Sequence, residues 1–231
     1  MDSEERLEQA VKHTEILRLP KQKLSTFGIT NVYYYLLTEP VYADESDLSE
    51  TVIREGRVIA QKPKIVTPYY LSRLDGFSGD ARRYFEMLLK NYGQNSPGIL
   101  YAYRNEPKEL NIVSGRLPEV AEKISGEIDR RGDLLSSIIK GKDELWDVSL
   151  LKFIFEMTRS SLGGNLTDFG SRGLLNIDAS GVPVDARLRI EELFSKIETG
   201  EAEPGELKRE LDRWDLFEEY LDRFLNVFKK K

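Results

Sequence analysis

The pattern of apolar residues changes its period part-way along the chain. Up to about residue 116, short runs rich in Val, Ile, Thr and Tyr predominate, and such runs are typical of β-strands. From residue 117 onward, apolar residues recur at the three- and four-residue spacing of helices. Strands and helices that come in successive blocks, rather than in alternation, favour an α+β fold over a series of βαβ units.

We therefore predict an α+β fold. A mainly antiparallel sheet of about four to six strands lies in the N-terminal half with helices packed on it, and a helical C-terminal block follows. The two portions are residues 1–116 and residues 117–231, which we expect to pack together as one compact unit. A chain of 231 residues buries enough surface to fold without a metal ion or a disulfide.

The most strand-like segment is residues 32–36, with the sequence VYYYL. Because successive side chains of a strand point to opposite faces, Tyr33 and Tyr35 face one side and the other three residues face the opposite side. Both sides are apolar or aromatic. The segment is therefore predicted to be a central strand that is covered on both faces.

Two turns are predicted among the neighbouring strands. Glu55-Gly56 suits the turn of a hairpin over residues 51–61. Asn105-Glu106-Pro107 suits the loop of a second hairpin. A further short strand is predicted at residues 64–67.

Several segments have helical spacing of their apolar residues. Pro20 is expected to end the first helix, and Gly163-Gly164 is expected to end the fourth, since both residue types disfavour continuation of a helix. The predicted helices are residues 4–19, 79–92, 117–131, 143–162, 184–199 and 204–228.

Composition excludes several kinds of chemistry. The chain has no cysteine, so disulfides, thiolate zinc sites and cysteine nucleophiles are excluded. His13 is the single histidine and is predicted to be a surface residue, which disfavours a Ser-His-Asp triad and a histidine metal site. Gly141-Lys142 is followed by Asp143 and lacks the spacing of a phosphate-binding loop. No cofactor and no metal ion are predicted.

Carboxylates are abundant, with 40 Asp and Glu residues. The acidic stretch from Asp44 to Glu50 lacks the ordered spacing and central glycine of a calcium-binding loop, so we interpret it as a solvated loop. A carboxylate-dependent enzyme with a divalent metal remains an alternative, because folding can bring distant carboxylates together. The residues nevertheless favour a non-enzymatic role.

The N-terminus and the net charge bear on location and partners. The first twenty residues are acidic and amphipathic, unlike a secretory signal, and no apolar run approaches the ~20 residues of a membrane-spanning helix. We therefore expect a cytoplasmic protein without membrane association. The net charge of −6 argues against a dedicated nucleic-acid binder, whose footprint is usually basic.

One segment combines cations with tyrosines in a way that suits phosphate contacts and base stacking. The alternative interpretation is a solvated hairpin whose basic edge prevents aggregation, and we favour it. Binding of nucleic acid or a phosphate-bearing ligand therefore stays possible but is not preferred. The residues concerned are Arg54, Arg57, Lys62, Lys64, Tyr69, Tyr70, Arg73, Arg82 and Arg83.

The last predicted helix carries a wide apolar stripe. Its inner part is expected to pack in the core, whereas Phe224 and Phe228 near the C-terminus are candidates for an interface. The preferred hypothesis is a non-enzymatic binding or assembly protein that forms homo-oligomers or binds a protein partner.

Overall fold

The computed structural model describes residues 3–40, 50–73, 90 and 97–227. The chain forms two compact units. Unit 1 comprises residues 1–62 and 101–165, and unit 2 comprises residues 63–100 and 166–231. The predicted portions, residues 1–116 and 117–231, were based on the type of secondary structure. Their interpretation as domains stays a prediction.

The helices and strands establish an α+β protein, as predicted. A short 3₁₀ helix at Asp143–Leu145 leads directly into the helix Trp146–Ser171. In chain order the elements are α1 (Ser3–His13), β1 (Glu15–Arg18), β2 (Thr30–Thr38), β3 (Glu50–Ala60), β4 (Lys64–Val66), α2 (Pro68–Ser72), β5 (Gly98–Leu100), β6 (Tyr103–Ser114), α3 (Leu117–Arg131), β7 (Ser136–Lys140), α4 (Trp146–Ser171), α5 (Val184–Glu198), α6 (Pro204–Trp214) and α7 (Phe217–Val227).

Unit 1 is built on a five-stranded sheet with the order β1-β7-β2-β3-β6. Its neighbouring strands are antiparallel except for β2 and β7, which are parallel. The mainly antiparallel sheet is therefore confirmed. One of its strands, β7, comes from the second half of the chain, where the sequence pattern predicted helices.

Strand β2 occupies the centre of this sheet, as predicted, and both of its faces are covered. On one face, Tyr34 and Leu36 pack in a core to which α4 contributes Phe153. On the other face, Leu37 packs in a core to which α3 contributes Ile128. The sheet is thus enclosed between α3 and α4, and the alternation of side chains along β2 divides its apolar residues between two cores.

The predicted hairpin at residues 51–61 is wrong, because β3 runs unbroken from Glu50 to Ala60. Gly56 serves close packing instead of a turn. A Cβ atom there would lie 2.6 Å from Cζ of Tyr34 and 2.8 Å from the carbonyl oxygen of Glu106. The pairing of β3 with β6 also shifts register between Glu55 and Gly56. The glycine therefore makes room for the Tyr34 ring at an irregularity of the ladder.

The predicted loop at Asn105-Glu106-Pro107 is also wrong, because these residues lie within β6. β6 is an edge strand, paired with β3 alone among the described strands. Proline is tolerated in an edge strand, where a missing N–H breaks no ladder on the open side. Pro107 is aligned with Gly56 at the register shift.

The first predicted helix is too long. α1 ends at His13, and Glu15–Arg18 forms strand β1 against β7. Sheet pairing thus overrides the weak helical pattern of residues 16–19. The predicted helix at residues 79–92 lies outside the described residues except for Lys90, which is helical.

Gly163-Gly164 does not end a helix, since α4 continues to Ser171. Asn165 anchors the helix beyond the glycines within unit 1. Its side-chain amide donates to the carbonyl oxygen of Leu24 at 3.1 Å and to Oγ1 of Thr26 at 2.7 Å. Its Oδ1 accepts a hydrogen bond from the Tyr101 hydroxyl at 2.7 Å.

Unit 2 has a helical core formed mainly by α5, α6 and α7. The helix predicted at 204–228 is divided in two at Asp215, whose φ of 59° is left-handed and ends α6. The helix predicted at 184–199 is confirmed as α5, and the strand predicted at 64–67 is confirmed as β4, which pairs with β5.

Among the described residues, no helix combines the length and the apolar character needed to span a membrane.

The role of Gly56 predicts the effect of a single methyl group. Gly56→Ala should lower the free energy of unfolding by about 1–3 kcal/mol, because the new Cβ overlaps the Tyr34 ring and the β6 backbone. Gly126→Ala in α3 is the matched control, since a Cβ there meets nothing within 4 Å. It should raise stability by about 0.5–1 kcal/mol. Urea denaturation measures both, and equal effects of the two substitutions would contradict the close approach at Gly56.

Candidate functional site

The basic and aromatic segment predicted from the sequence is divided between the two units. Arg82 and Arg83 lie outside the described residues. Unit 1 holds Arg54, Arg57 and Lys62, whereas unit 2 holds Lys64, Tyr69, Tyr70 and Arg73.

In unit 1, the two arginines of β3 have carboxylate partners. Arg54 Nη1 lies 2.6 Å from Oδ1 of Asp143, and its guanidinium lies 5.7 Å from the ring centre of Trp146. Arg57 Nε lies 2.6 Å from Oε2 of Glu106. The hydrogen bond from Arg57 holds the pKa of Glu106 below its usual range. A phosphate ligand would have to compete with these carboxylates.

In unit 2, one tyrosine of the segment is accessible in part and the other is not. Tyr69 is half-buried, with the Arg73 guanidinium 4.8 Å from its ring centre. Arg73 Nη1 also lies 3.2 Å from a carboxylate oxygen of Asp215. Tyr70 is only 1% exposed, so its ring has no free face on which a base could stack.

Tyr70 instead belongs to a buried polar cluster, which we call the Glu210 cluster. Its central interaction joins Arg189 Nη2 to Glu210 Oε1 at 3.0 Å. Arg189 also pairs with Asp185, one turn earlier on α5. The members are Tyr70, Asp185, Arg189, Glu210 and Trp214, and all are at least nine-tenths buried.

The Glu210 cluster links secondary-structure elements within unit 2. The Tyr70 hydroxyl of α2 donates to Glu210 Oε2 at 3.0 Å, and the indole N–H of Trp214 donates to Oε1 at 3.3 Å. The backbone N–H of Ile65 in β4 donates to Asp185 at 3.0 Å, and the carbonyl of Ile65 accepts from Arg189 at 3.3 Å. One charged cluster therefore connects β4, α2, α5 and α6.

The ionisation of the cluster follows from burial and from its pairs. Burial alone would raise the pKa of Glu210, but the charges of Arg189 and Lys64 and the hydrogen bonds from Arg189 and Tyr70 outweigh it, so the pKa is lowered. Burial lowers the pKa of Lys64 at the edge of the cluster. Burial raises the pKa of Tyr70. Glu210 is therefore an anion at neutral pH, and the arrangement fits a structural ion pair better than a proton donor.

A second feature is the surface of α4 that points away from the sheet. Leu151 and Phe155 are each 65% exposed, and no large apolar side chain in the described part of the chain is more exposed. Leu162 is 39% exposed and falls on the same side of the helix. We call Leu151, Phe155 and Leu162 the α4 outer face. The opposite side of α4 packs Leu150, Phe153 and Met157 on the sheet.

Glu156 and Arg159 flank the α4 outer face on one side, at a helical spacing of three residues. Neither has an ion-pair partner among the residues that the structure describes. Gly163 follows on the same flank. An exposed apolar surface bordered by charged residues is typical of a binding surface.

The remaining candidates predicted from the sequence lie in the core, on the surface or outside the described residues. Phe224 is 7% exposed and packs edge-to-face on Phe217 with ring centres 5.4 Å apart, so its side chain lies in the core of unit 2 and not on an exposed seam. Phe228 and most of the acidic stretch Asp44 to Glu50 lie outside the described residues. His13 is exposed, as predicted, and its Nδ1 lies 2.7 Å from the carbonyl oxygen of Gln9.

The described residues contain no group of three or more His, Asp or Glu side chains placed to hold a metal ion. Comparison of the chain with models of protein families, with curated proteins and with solved structures found no match. The interpretation of function therefore depends on the chemistry of the surfaces and clusters described above.

The sequence did not reveal either feature. Tyr70 and Glu210 are 140 residues apart in the chain, so their contact depends on tertiary structure. The α4 outer face had a usable signal: the apolar residues among positions 150–157 extend beyond the side that faces the sheet, to Leu151 and Phe155.

The lowered pKa of Glu210 predicts a pH-dependent contribution to stability. A depressed folded-state pKa stabilises the fold above the unfolded value of about 4.3, and the contribution is lost as the pH falls through the folded-state pKa. Glu210→Gln should therefore lower the free energy of unfolding at pH 7 by about 3–5 kcal/mol, since it removes one of the two carboxylates that compensate the buried Arg189.

Urea denaturation at pH 7 and near pH 3 measures this difference, which should shrink at the acidic pH. Glu206→Gln on the exposed side of the same helix is the control and should change stability by less than about 0.5 kcal/mol. Equal effects of the two substitutions at pH 7 would contradict a stabilising role for the buried pair.

Proposed function

We propose that the protein is a non-enzymatic binding or assembly protein, and that it binds another protein chain through the α4 outer face. The observation that carries the proposal is the exposure of Leu151 and Phe155, at 65% each, on a helix that is otherwise well packed. Burial of such side chains contributes about 1.5–3 kcal/mol each, so a partner that covers them gains substantially.

The position of these residues supports a functional interpretation over chance exposure. Scattered exposed apolar residues are normal on protein surfaces. Leu151 and Phe155 are one helical turn apart, however, and Leu162 continues the same side after two further turns. Aromatic side chains such as that of Phe155 are enriched in protein–protein interfaces relative to the rest of the surface.

The helix beneath this surface is a rigid platform. Leu150 and Phe153 are at most 3% exposed and fix α4 to the sheet, and the Lys152 ammonium donates to the backbone carbonyls of Val11 and Thr14 at 3.0 and 2.9 Å. A partner would therefore meet an ordered surface, which lowers the entropic cost of binding.

Binding of a phosphate-bearing ligand by the basic segment receives less support. Arg54, Arg57 and Arg73 have carboxylate partners, and Tyr70 is buried. The Tyr69–Arg73 pair is the part of the segment that retains a half-exposed aromatic ring. We therefore keep protein binding as the proposed function.

Removal of the apolar surface should abolish protein binding without unfolding the chain. We expect Leu151→Ser/Phe155→Ser to lose self-association and every specific protein contact, while its circular dichroism and unfolding midpoint stay close to those of the natural sequence. Leu188→Ser is the matched control, since Leu188 is 54% exposed on α5 in the other unit and should leave binding unchanged.

The measurements are sedimentation velocity over a range of concentrations and affinity capture of protein partners by the immobilised full chain. The proposal fails if the natural sequence is monomeric at every concentration and captures no protein that the double variant fails to capture.

A further inference from the structure

The charges beside the α4 outer face indicate which partner it fits. We propose that the partner is a second copy of this chain, and that α4 packs against its own copy in an antiparallel arrangement related by a two-fold axis. The inference rests on the proposed function and specifies its partner. It depends on Phe155 and Leu162 as the apolar contacts and on Glu156 and Arg159 as the charged ones.

The apolar residues fit an antiparallel pairing. Phe155 and Leu162 are seven residues apart, so two copies can place Phe155 of each opposite Leu162 of the other. The two-fold axis then passes between Thr158 and Arg159, midway between Phe155 and Leu162. The contact between Phe155 of one copy and Leu162 of the other then forms twice, as the self-complementarity of a two-fold interface requires.

The charged residues select the antiparallel arrangement over a parallel one. Glu156 and Arg159 lie on the same flank of α4. In an antiparallel two-fold pair, the flank that carries Glu156 and Arg159 in one copy lies beside the same flank of the other copy. In a parallel two-fold pair, that flank lies beside the opposite flank of the other copy. With Phe155 opposite Leu162, Glu156 of one copy lies within about 3 Å along the helix axis of the level of Arg159 of the other.

Both charges gain a partner in this arrangement. Neither Glu156 nor Arg159 forms an ion pair within the described part of the chain. Two symmetric Glu–Arg pairs would therefore form, and they would border the apolar contact and fix its register.

The size of this contact sets the expected strength. The stretch from Leu151 to Leu162 is about 16 Å long. It contains fewer residues than one side of a standard interface, which involves roughly 20–30 residues. We therefore expect a reversible dimer with a dissociation constant on the order of 1–100 µM.

Charge exchange tests the pairing directly. Glu156→Lys places a lysine beside Arg159 of the other copy, and Arg159→Glu places two glutamates together, so each single change should weaken the dimer roughly tenfold. The double change Glu156→Lys/Arg159→Glu restores opposite charges and should return the dissociation constant to within about threefold of the natural value. Sedimentation equilibrium of the full chain measures all four proteins. Failure of the double change to restore association overturns the pairing.

Disulfide trapping tests the orientation. Because the natural sequence has no cysteine, each variant contains a single cysteine and can form a disulfide only between two copies. Arg159→Cys lies next to the two-fold axis and should form a disulfide-linked dimer on mild oxidation. Val148→Cys, near the start of the same helix, should not, because an antiparallel arrangement separates the two copies of residue 148. Cross-linking of both variants would indicate a parallel pair and overturn the proposal.

The two proposals can fail separately. A natural sequence that stays monomeric at all concentrations, yet binds a different protein in a manner abolished by Leu151→Ser/Phe155→Ser, overturns the second copy as partner and leaves the proposed function standing. Loss of self-association in the Leu151→Ser/Phe155→Ser variant but not in Leu188→Ser, together with rescue by charge exchange, supports both.

Discussion

The structure of unit 1 depends on covering both faces of strand β2. Tyr34 and Leu36 face the core below α4, and Leu37 faces the core below α3, so this strand is part of two hydrophobic cores at once. Its neighbours must then bring apolar groups to both faces, and the parallel strand β7 does so with Ile138 on one face and Ile139 on the other. From Tyr101 the chain continues in unit 1 again. There it forms β6, α3, β7 and α4, which complete the sheet and the helices on its two faces.

The local pattern predicted this central strand and the α+β class because both depend on short-range periodicity. It failed where long-range contacts decided the conformation. Gly56 is typical of a turn, yet the ring of Tyr34 occupies the space beside it in an unbroken strand. Gly163 and Gly164 are typical of a helix end, yet the buried amide of Asn165 bonds to Leu24 and Thr26 and keeps the helix intact. In each case a tertiary contact overrides a preference worth about 1 kcal/mol.

The candidate sites were less predictable than the fold because they depend on the pairing of charges. Arg54 and Arg57 were predicted as possible ligands for phosphate, but sequence proximity does not show that Asp143 and Glu106 neutralise them. Similarly, the contact between Tyr70 and Glu210 joins residues 140 positions apart. The sequence also did not show that Phe224 is buried. Phe224 lies in the core of unit 2 on α7, which follows the break at Asp215.

Each unit has one local exception to the usual burial of apolar groups and exposure of charged ones. Unit 2 buries the ion pairs of Arg189, which have a large desolvation cost, and they can be retained because Tyr70, Trp214 and backbone groups supply hydrogen bonds. Unit 1 exposes Leu151 and Phe155, which lie on the side of α4 away from the buried Phe153 and Leu150. The burial of charge is explained within the chain itself. The described part of the chain offers no such explanation for the exposure of Leu151 and Phe155, and the second chain that we propose over α4 would account for it.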